Sequence, residues 1–314
     1  MWKHVFISVA FLLASQNFAI ASYLGEAQPR ANTPVNPKPA YSVRSSRYLS
    51  GHHFLMSALV PTAFSAPYVR SSLEGAFATI HVNGMESDIK AAGLTPSFTG
   101  QFRVGDIGFE FGIDASEIFG ADGYSALVLG ANYSYGLSGT IRIPVLKEDW
   151  LALTPTIGIR SQSGGSFSPL NAVAQSIMTK AEAADFLSST STFQLKPGLL
   201  AAAALSPTFG ISAELSRVFS NTTSSDLPKI DDGSIRAGIA LSTNFQPELG
   251  LPIGFLAAYR NDWPIRPDIE NTSIYELGIF EMLNQDFNFG IEMTRLVTST
   301  PSISFLLSLT YYYR

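Results

Sequence analysis

The chain has 314 residues, a formal net charge of −5 and no cysteine, and only 14% of its residues are charged. Without cysteine it can form no disulfide and no thiolate or zinc–thiolate site. The mild net charge and the lack of a basic cluster argue against a nucleic-acid partner, and the charged fraction is low for a soluble domain.

The first 21 residues have the features of an export signal. Lys3 and His4 give a short positive start, residues 5–14 form an apolar core, and Ala19-Ile20-Ala21 is a small-x-small cleavage site. The core is far shorter than the roughly 20 residues of a spanning helix. We expect residues 1–21 to be removed after export.

Residues 22–70 form a Pro-rich N-terminal segment, which predicts extended backbone. Within it, residues 52–69 are apolar but are interrupted by Pro61 and Pro67. This stretch could be a plug inside a barrel, a periplasmic tail or an additional strand.

From residue 71 onward, apolar and polar residues alternate. The last segment, residues 302–313, is the clearest case: Ile303, Phe305 and Leu307 alternate with Ser302, Ser304 and Leu306, and the pattern continues to Tyr313. Such alternation predicts a strand with one apolar face. Its length is about twice that of an ordinary soluble strand and suffices to cross a bilayer at a tilt.

Twelve segments of this kind predict an all-β fold, a transmembrane antiparallel up-and-down barrel over residues 71–314. The expected strands are residues 71–82, 98–113, 124–133, 137–145, 151–160, 192–204, 208–218, 233–244, 252–261, 272–282, 286–296 and 302–313. One short helix is expected in the long connection 161–191, beginning at Ser168-Pro169.

The segment 98–113 is irregular because its apolar positions change phase across Gly105. A bulge at residues 104–106 would explain the change, since one extra residue moves the apolar set to the other face. Alternatively, a tight turn there, together with a strand over residues 52–60, would raise the count to fourteen.

Connection lengths give the barrel an orientation, because such barrels have short periplasmic turns and longer outer loops. With the C-terminus inside, the inner turns fall near residues 114–123, 146–150, 205–207, 245–251 and 283–286. The outer loops fall near residues 83–97, 134–136, 161–191, 219–232, 262–271 and 297–301. The longest connections are therefore all outside.

Residues 302–313 resemble the C-terminal strand of Gram-negative bacterial outer-membrane β-barrels, a porin-like class, although Arg314 follows the last aromatic residue. The resemblance implies a location in the outer membrane, with lipid around the barrel. It also implies that the outer-membrane assembly machinery recognises residues 302–313.

Charged residues on the polar faces of the strands are expected to point into the lumen. They are Glu74, Arg103, Asp106, Glu110, Arg142, Arg160, Lys196, Glu214, Arg236, Arg260, Glu276 and Glu292. Arg160, Lys196, Arg236 and Arg260 are predicted near the outer ends of their strands. They could attract anions at the mouth, or they could form ion pairs with Glu214, Glu276 and Glu292.

These features favour a channel for passive diffusion of ions or small polar solutes, with a preference for anions. The alternatives are a closed structural or surface-binding barrel and a FadL-like carrier of hydrophobic molecules. After the signal, histidine occurs only at His52, His53 and His81, without a visible catalytic partner. We therefore predict no enzymatic activity, no catalytic residue, no metal site and no cofactor.

Overall fold

The computed structural model describes residues 48–64, 66–80, 88–170, 187–224, 230–267, 269–282, 286–298 and 300–313. Residues 1–21, predicted to be the signal peptide, lie outside this part of the chain. Twelve long antiparallel strands close into a barrel. They are β3 (Tyr68–Ile80), β4 (Ile89–Val104), β5 (Ile107–Gly120), β6 (Ala131–Arg142), β8 (Leu151–Phe167), β9 (Leu187–Ala204), β10 (Phe209–Ser224), β11 (Ile230–Asn244), β12 (Ile253–Pro264), β13 (Thr272–Glu281), β14 (Phe287–Val297) and β15 (Ser302–Tyr312).

Two pairings close the barrel. The last strand, β15, pairs antiparallel with β3, and β6 pairs with β8. The short β7 (Leu146–Lys147) adds a small extension beside β8, and β1 (Tyr48–Leu49) pairs with β2 (His52–His53) outside the main sheet. We call the end of the barrel that holds Tyr68 and Tyr312 the inner end, and the opposite end the outer end.

The two faces of the strands have the polarity expected of a barrel in a membrane. Outward residues are mostly apolar and exposed: Leu277 and Ile279 are each 56% exposed, and Arg217 and Arg295 are charged exceptions on this face. Inward residues include fully buried polar groups such as Glu292 and Thr154, both 0% exposed. This arrangement places apolar side chains against lipid and polar side chains in the lumen. No helix in the described ranges is long and apolar enough to cross a membrane.

The strand count of twelve is confirmed, but two predicted boundaries are wrong. Residues 98–113 do not form one bulged strand: β4 ends at Val104, β5 begins at Ile107, and Gly105 adopts a φ of +62° in the turn between them. A glycine suits this left-handed conformation because it has no Cβ. The change of phase at Gly105 therefore marks a tight turn.

The predicted strand 124–133 is mostly a helix, which keeps the total at twelve. Helix α1 (Gly123–Leu129) begins after Asp122, whose Oδ1 accepts a hydrogen bond from the Ser125 amide at 2.8 Å. Side-chain acceptors at this position stabilise the first turn of a helix. Two predicted connections are therefore also wrong. Residues 114–123 are not an inner turn, because β5 runs to Gly120, and residues 134–136 are not an outer loop, because they lie within β6.

Two connections between strands contain short helical stretches. Helix α2 (Gln246–Leu249) lies in the inner connection between β11 and β12. In the predicted helix of the long outer loop, Pro169 and Leu170 are helical, and residues 171–186 lie outside the described residues.

The lipid-facing assignment predicts a sharp difference between two substitutions to arginine. Leu277→Arg would place a charge within the outward apolar band, whereas Ser191→Arg would place it on an exposed, polar part of the same outer surface. We expect Leu277→Arg to lower the free energy of unfolding in phospholipid vesicles by about 2–4 kcal/mol, with little effect from Ser191→Arg. Urea titration of the refolded variants measures both; equal losses would contradict the assignment.

Candidate functional site in the lumen

Residues 48–64, 66 and 67 lie inside the inner half of the barrel, and we call them the plug. The plug enters at the inner end, where the Ser50 amide donates to the Asp149 carbonyl at 2.7 Å. It rises toward the middle of the barrel, where Leu59 meets Arg260, and returns to Pro67 beside β3. Most of its described side chains are buried, among them Phe54, Leu55, Val60 and Phe64.

Side chains of the plug fit against places where the wall has no side chain. A Cβ built on Gly238 of β11 would lie 2.9 Å from Cγ2 of Val60. That distance is shorter than a normal carbon–carbon contact, so a larger residue there would push Val60 away. The glycine thus forms a shallow recess in the wall that receives the upper part of the plug.

The wall binds the plug mainly through the plug backbone. Six plug carbonyls accept hydrogen bonds from inward side chains: Met56 from Arg70 (3.3 Å), Leu59 from Arg260 (3.4 Å), Thr62 from Arg142, Ala63 from Thr154 (2.6 Å), and Phe64 and Ala66 from Gln101 (3.2 and 2.9 Å). Buried backbone groups must find partners, and here strands from around the barrel supply them.

One acidic residue provides the complementary contact. The Glu276 carboxylate accepts hydrogen bonds from the Ser57 hydroxyl, from the Ala58 amide at 2.9 Å and from the Leu59 amide at 3.2 Å. Nearby, Glu292 is paired with Arg70 at 2.6 Å and accepts from the Ser308 hydroxyl at 2.7 Å. Both carboxylates are fully buried, so they hold the plug and the wall rather than facing a solute.

His52 attaches the first part of the plug to the wall near the inner end, through Pro207 in the connection before β10 and Ser242 of β11. Its Nδ1 lies 3.0 Å from the Pro207 carbonyl oxygen, and its Nε2 lies 2.9 Å from the Ser242 hydroxyl. Burial lowers the pKa of His52 to about 4, against a smaller opposing effect of the hydrogen bond to Pro207. The ring is therefore neutral at pH 7, and the neutral ring can donate to one partner while accepting from the other.

The four cations predicted at the mouth lie near the middle of their strands, and each has an acidic partner. The pairs are Arg160–Asp114 (2.9 Å), Lys196–Glu214 (3.2 Å), Arg236–Asp262 (2.9 Å) and Arg260–Asp262 (3.3 Å). They are not at the outer ends because β8 and β9 extend well beyond residues 160 and 192. Arg260 also contacts the plug, so this belt of charges lies directly above it.

The other predicted lumen charges have different environments. Glu110 pairs with Arg142 at 2.5 Å and accepts from the Tyr68 hydroxyl at 2.5 Å, at the inner end. Asp106 does not face the lumen, because it lies exposed in the turn between β4 and β5. Sequence reasoning missed Arg70, Gln101 and Thr154 as plug contacts; Arg70 precedes the predicted start of the barrel.

Above the plug, the described inward residues carry many hydroxyl groups; we call this outer part of the lumen the vestibule. Arg160 points inward, yet its side chain is 40% exposed. Hydroxyl pairs join neighbouring strands around this part of the wall. They are Ser116–Ser134, Ser166–Ser188, Thr192–Thr222 and Thr294–Ser304. Such a surface suits polar solutes and hydrated ions.

Comparisons of structure place the barrel among known folds. The chain is similar to the translocator domain of the autotransporter NalP from Neisseria meningitidis, with 11% identity, a TM-score of 0.54, and coverage of 79% of this chain and 88% of that one. It is equally similar to an outer-membrane channel from Pseudomonas putida F1, with 10% identity, a TM-score of 0.54, and coverage of 83% and 100%. No protein-family model and no curated protein matches the sequence. The chain therefore has the fold of outer-membrane β-barrels.

The attachment of His52 predicts that acid loosens the plug. With the plug in place, the pKa of His52 is about 4, below the ordinary histidine value of 6.5. The stabilisation is therefore complete above pH 6.5 and is lost as the pH falls toward 4, because the undocked ring binds the proton more readily. The full loss is on the order of 3 kcal/mol.

A spin label can follow this release. Ala58 is the exposed residue at the top of the plug, and the chain has no native cysteine. A nitroxide on Ala58→Cys should become more mobile between pH 7 and pH 4.5, and the additional substitution His52→Gln should remove this pH dependence. The same rise in mobility with and without His52 would show that another group is responsible.

Proposed function

We propose that the protein is an outer-membrane channel for small polar solutes or ions, in which passage requires the plug to move. The observation that carries the proposal is the hydroxyl-lined vestibule above the plug, where the Arg160 side chain is 40% exposed. A similar fold in a protein described as an outer-membrane channel supports it. Export through the predicted signal, with β15 as the strand recognised during assembly, belongs to the same proposal.

Passive diffusion is the mechanism that fits the residues of the vestibule. The hydroxyl pairs offer exchangeable hydrogen bonds, and no step of chemistry is required of the wall. We expect only weak selectivity for charge. Each of the four cations of the belt is paired with an acid, and Glu74 adds an inward carboxylate on β3.

A closed structural barrel is the second candidate, because the plug fills the inner half of the lumen. In that case the hydrogen bonds that Arg70, Arg142 and Gln101 donate to the plug, and those that Glu276 accepts from it, would be permanent. We do not extend the proposal to a carrier of hydrophobic molecules, since the hydroxyl-lined vestibule offers such a ligand few apolar contacts.

A disulfide that locks the plug separates a channel from a closed barrel. Val60 and Gly238 are in contact, so Val60→Cys with Gly238→Cys should form a cross-link within ordinary disulfide geometry. We expect oxidation to reduce single-channel opening in planar bilayers by at least tenfold, and a reductant to restore it.

The matched control is a cross-link within the wall. Ser72 and Ser97 lie 2.6 Å apart through their hydroxyl oxygens on β3 and β4, and a disulfide between them leaves the plug unattached. We expect the control to conduct in both redox states. Full conductance of the locked protein would contradict plug movement, and no conductance of the wild type under any condition would favour the closed barrel.

A further inference from the structure

The outward surface of β8, β9 and β10 changes its chemistry toward the outer end. The apolar band ends at Ile159, Phe193 and Phe219, which are 51%, 52% and 47% exposed. Beyond these positions come polar outward residues, and the exposed Phe167 follows them at the end of β8. The polar residues are Ser161, Ser163, Ser189, Ser191, Asn221 and Thr223. At about 3.3 Å per residue along a tilted strand, this polar surface extends roughly 10 Å past the band. That distance spans the lipid headgroup region.

A depression of about 370 Å³ lies in this polar surface. Tyr133 and Tyr135 of β6 form one side of it, and Ser163, Ser191 and Thr223 line the other. A Cβ on Gly165 would lie 2.8 Å from the Tyr133 hydroxyl oxygen. The missing side chain therefore lets the Tyr133 ring lie across β8, which makes the surface concave there.

We propose that this depression binds the sugar headgroup of a glycolipid in the outer leaflet. Tyrosine rings provide an apolar face for the C–H groups of a sugar ring, and their hydroxyls remain available at the wet end. The serine and threonine hydroxyls both donate and accept, as a polyhydroxylated ligand requires. None of the lining residues is charged, so the ligand is a neutral sugar rather than a phosphate.

The hydroxyl groups of the depression can still form hydrogen bonds with a ligand. The Ser163 and Ser191 oxygens are 3.4 Å apart, and the Thr223 hydroxyl lies 3.4 Å from the Ser191 carbonyl oxygen. Contacts at this distance are long and weak. A sugar hydroxyl placed between them would make shorter hydrogen bonds with the same groups.

The position of the depression indicates a lipid rather than a free sugar. It continues the lipid-facing band without a break and opens sideways, away from the vestibule. A ligand that reaches it from within the membrane plane has its acyl chains beside Phe193 and Phe219, which are outward and exposed. The same molecule thus contacts both surfaces, which a soluble sugar does not.

The experiment uses the full-length protein in phosphatidylcholine vesicles with digalactosyl diacylglycerol as the probe. After gentle detergent extraction, native mass spectrometry measures the glycolipid that stays bound to each protein. We expect Tyr133→Ala with Tyr135→Ala to reduce retained glycolipid at least tenfold. Ser191→Ala with Thr223→Val, which keeps the shape, should reduce it several-fold.

The matched control is a second outward tyrosine pair, on β12 and β13. Tyr259 and Tyr275 have ring centroids 5.0 Å apart, and Tyr275 is 50% exposed. Tyr259→Ala with Tyr275→Ala should change retention less than twofold. Equal loss from both tyrosine pairs would overturn the site, because it would show general anchoring at the interface. Equal retention of phosphatidylcholine, or equal binding of free digalactose, would overturn the glycolipid assignment.

Discussion

The structure depends on one constraint: in hydrocarbon, every backbone N–H and C=O must be paired within the protein. Sheets meet this requirement only when they close, because an open edge leaves a row of unpaired groups. The pairing of β15 with β3, together with that of β6 with β8, removes both edges. Closure then divides the side chains into a lipid face and a lumen face, and the alternation in the sequence follows from that division.

Polar groups that closure sends inward need partners in turn, and the plug supplies many of them. Arg70, Arg142 and Gln101 donate to plug carbonyls, while Glu276 accepts from plug amides. Since these contacts reach the backbone, they depend little on the identity of the plug side chains. The cations of the charge belt above them are instead paired with Asp114, Glu214 and Asp262 of the wall, and their side chains stay partly exposed.

Alternation predicted the barrel because the membrane enforces it residue by residue, as in residues 302–313. The strand number was right because two wrong assignments cancel: residues 98–113 belong to two strands, and residues 124–133 are mostly helix. The alternation did not predict the strand ends, which extend beyond the apolar band and do not face hydrocarbon. Strand β10 was expected to end at residue 218, but the ladder continues to Ser224 after the outward residues become Asn221 and Thr223. Two other predicted strands also ended too early, at residues 113 and 261, which placed Asp114 in a turn and Asp262 in a loop. The acidic partners of Arg160 and Arg236 could therefore not be identified from the sequence.

Local signals were present at the two misassigned elements, although apolar content outweighed them. Asp122 and Gly130 border helix α1 as an N-cap and a C-cap, yet residues 124–133 are apolar enough to resemble a strand. The plug has no periodicity to detect, because its backbone bonds go to side chains of distant strands and not to a neighbouring strand. Such a segment becomes recognisable only when the lumen that surrounds it is known.

Among the described residues, the plug and the twelve strands are therefore held in place by different solvents. Withdrawal of the plug would expose Arg70, Arg142 and Glu276 to a water-filled lumen, where water replaces each lost hydrogen bond at a net cost of about 0.5–1.5 kcal/mol. Withdrawal of a strand would instead leave backbone groups in lipid, at several kcal/mol for each group. The difference between the two solvents thus favours movement of the plug over movement of any strand, as the proposed channel requires.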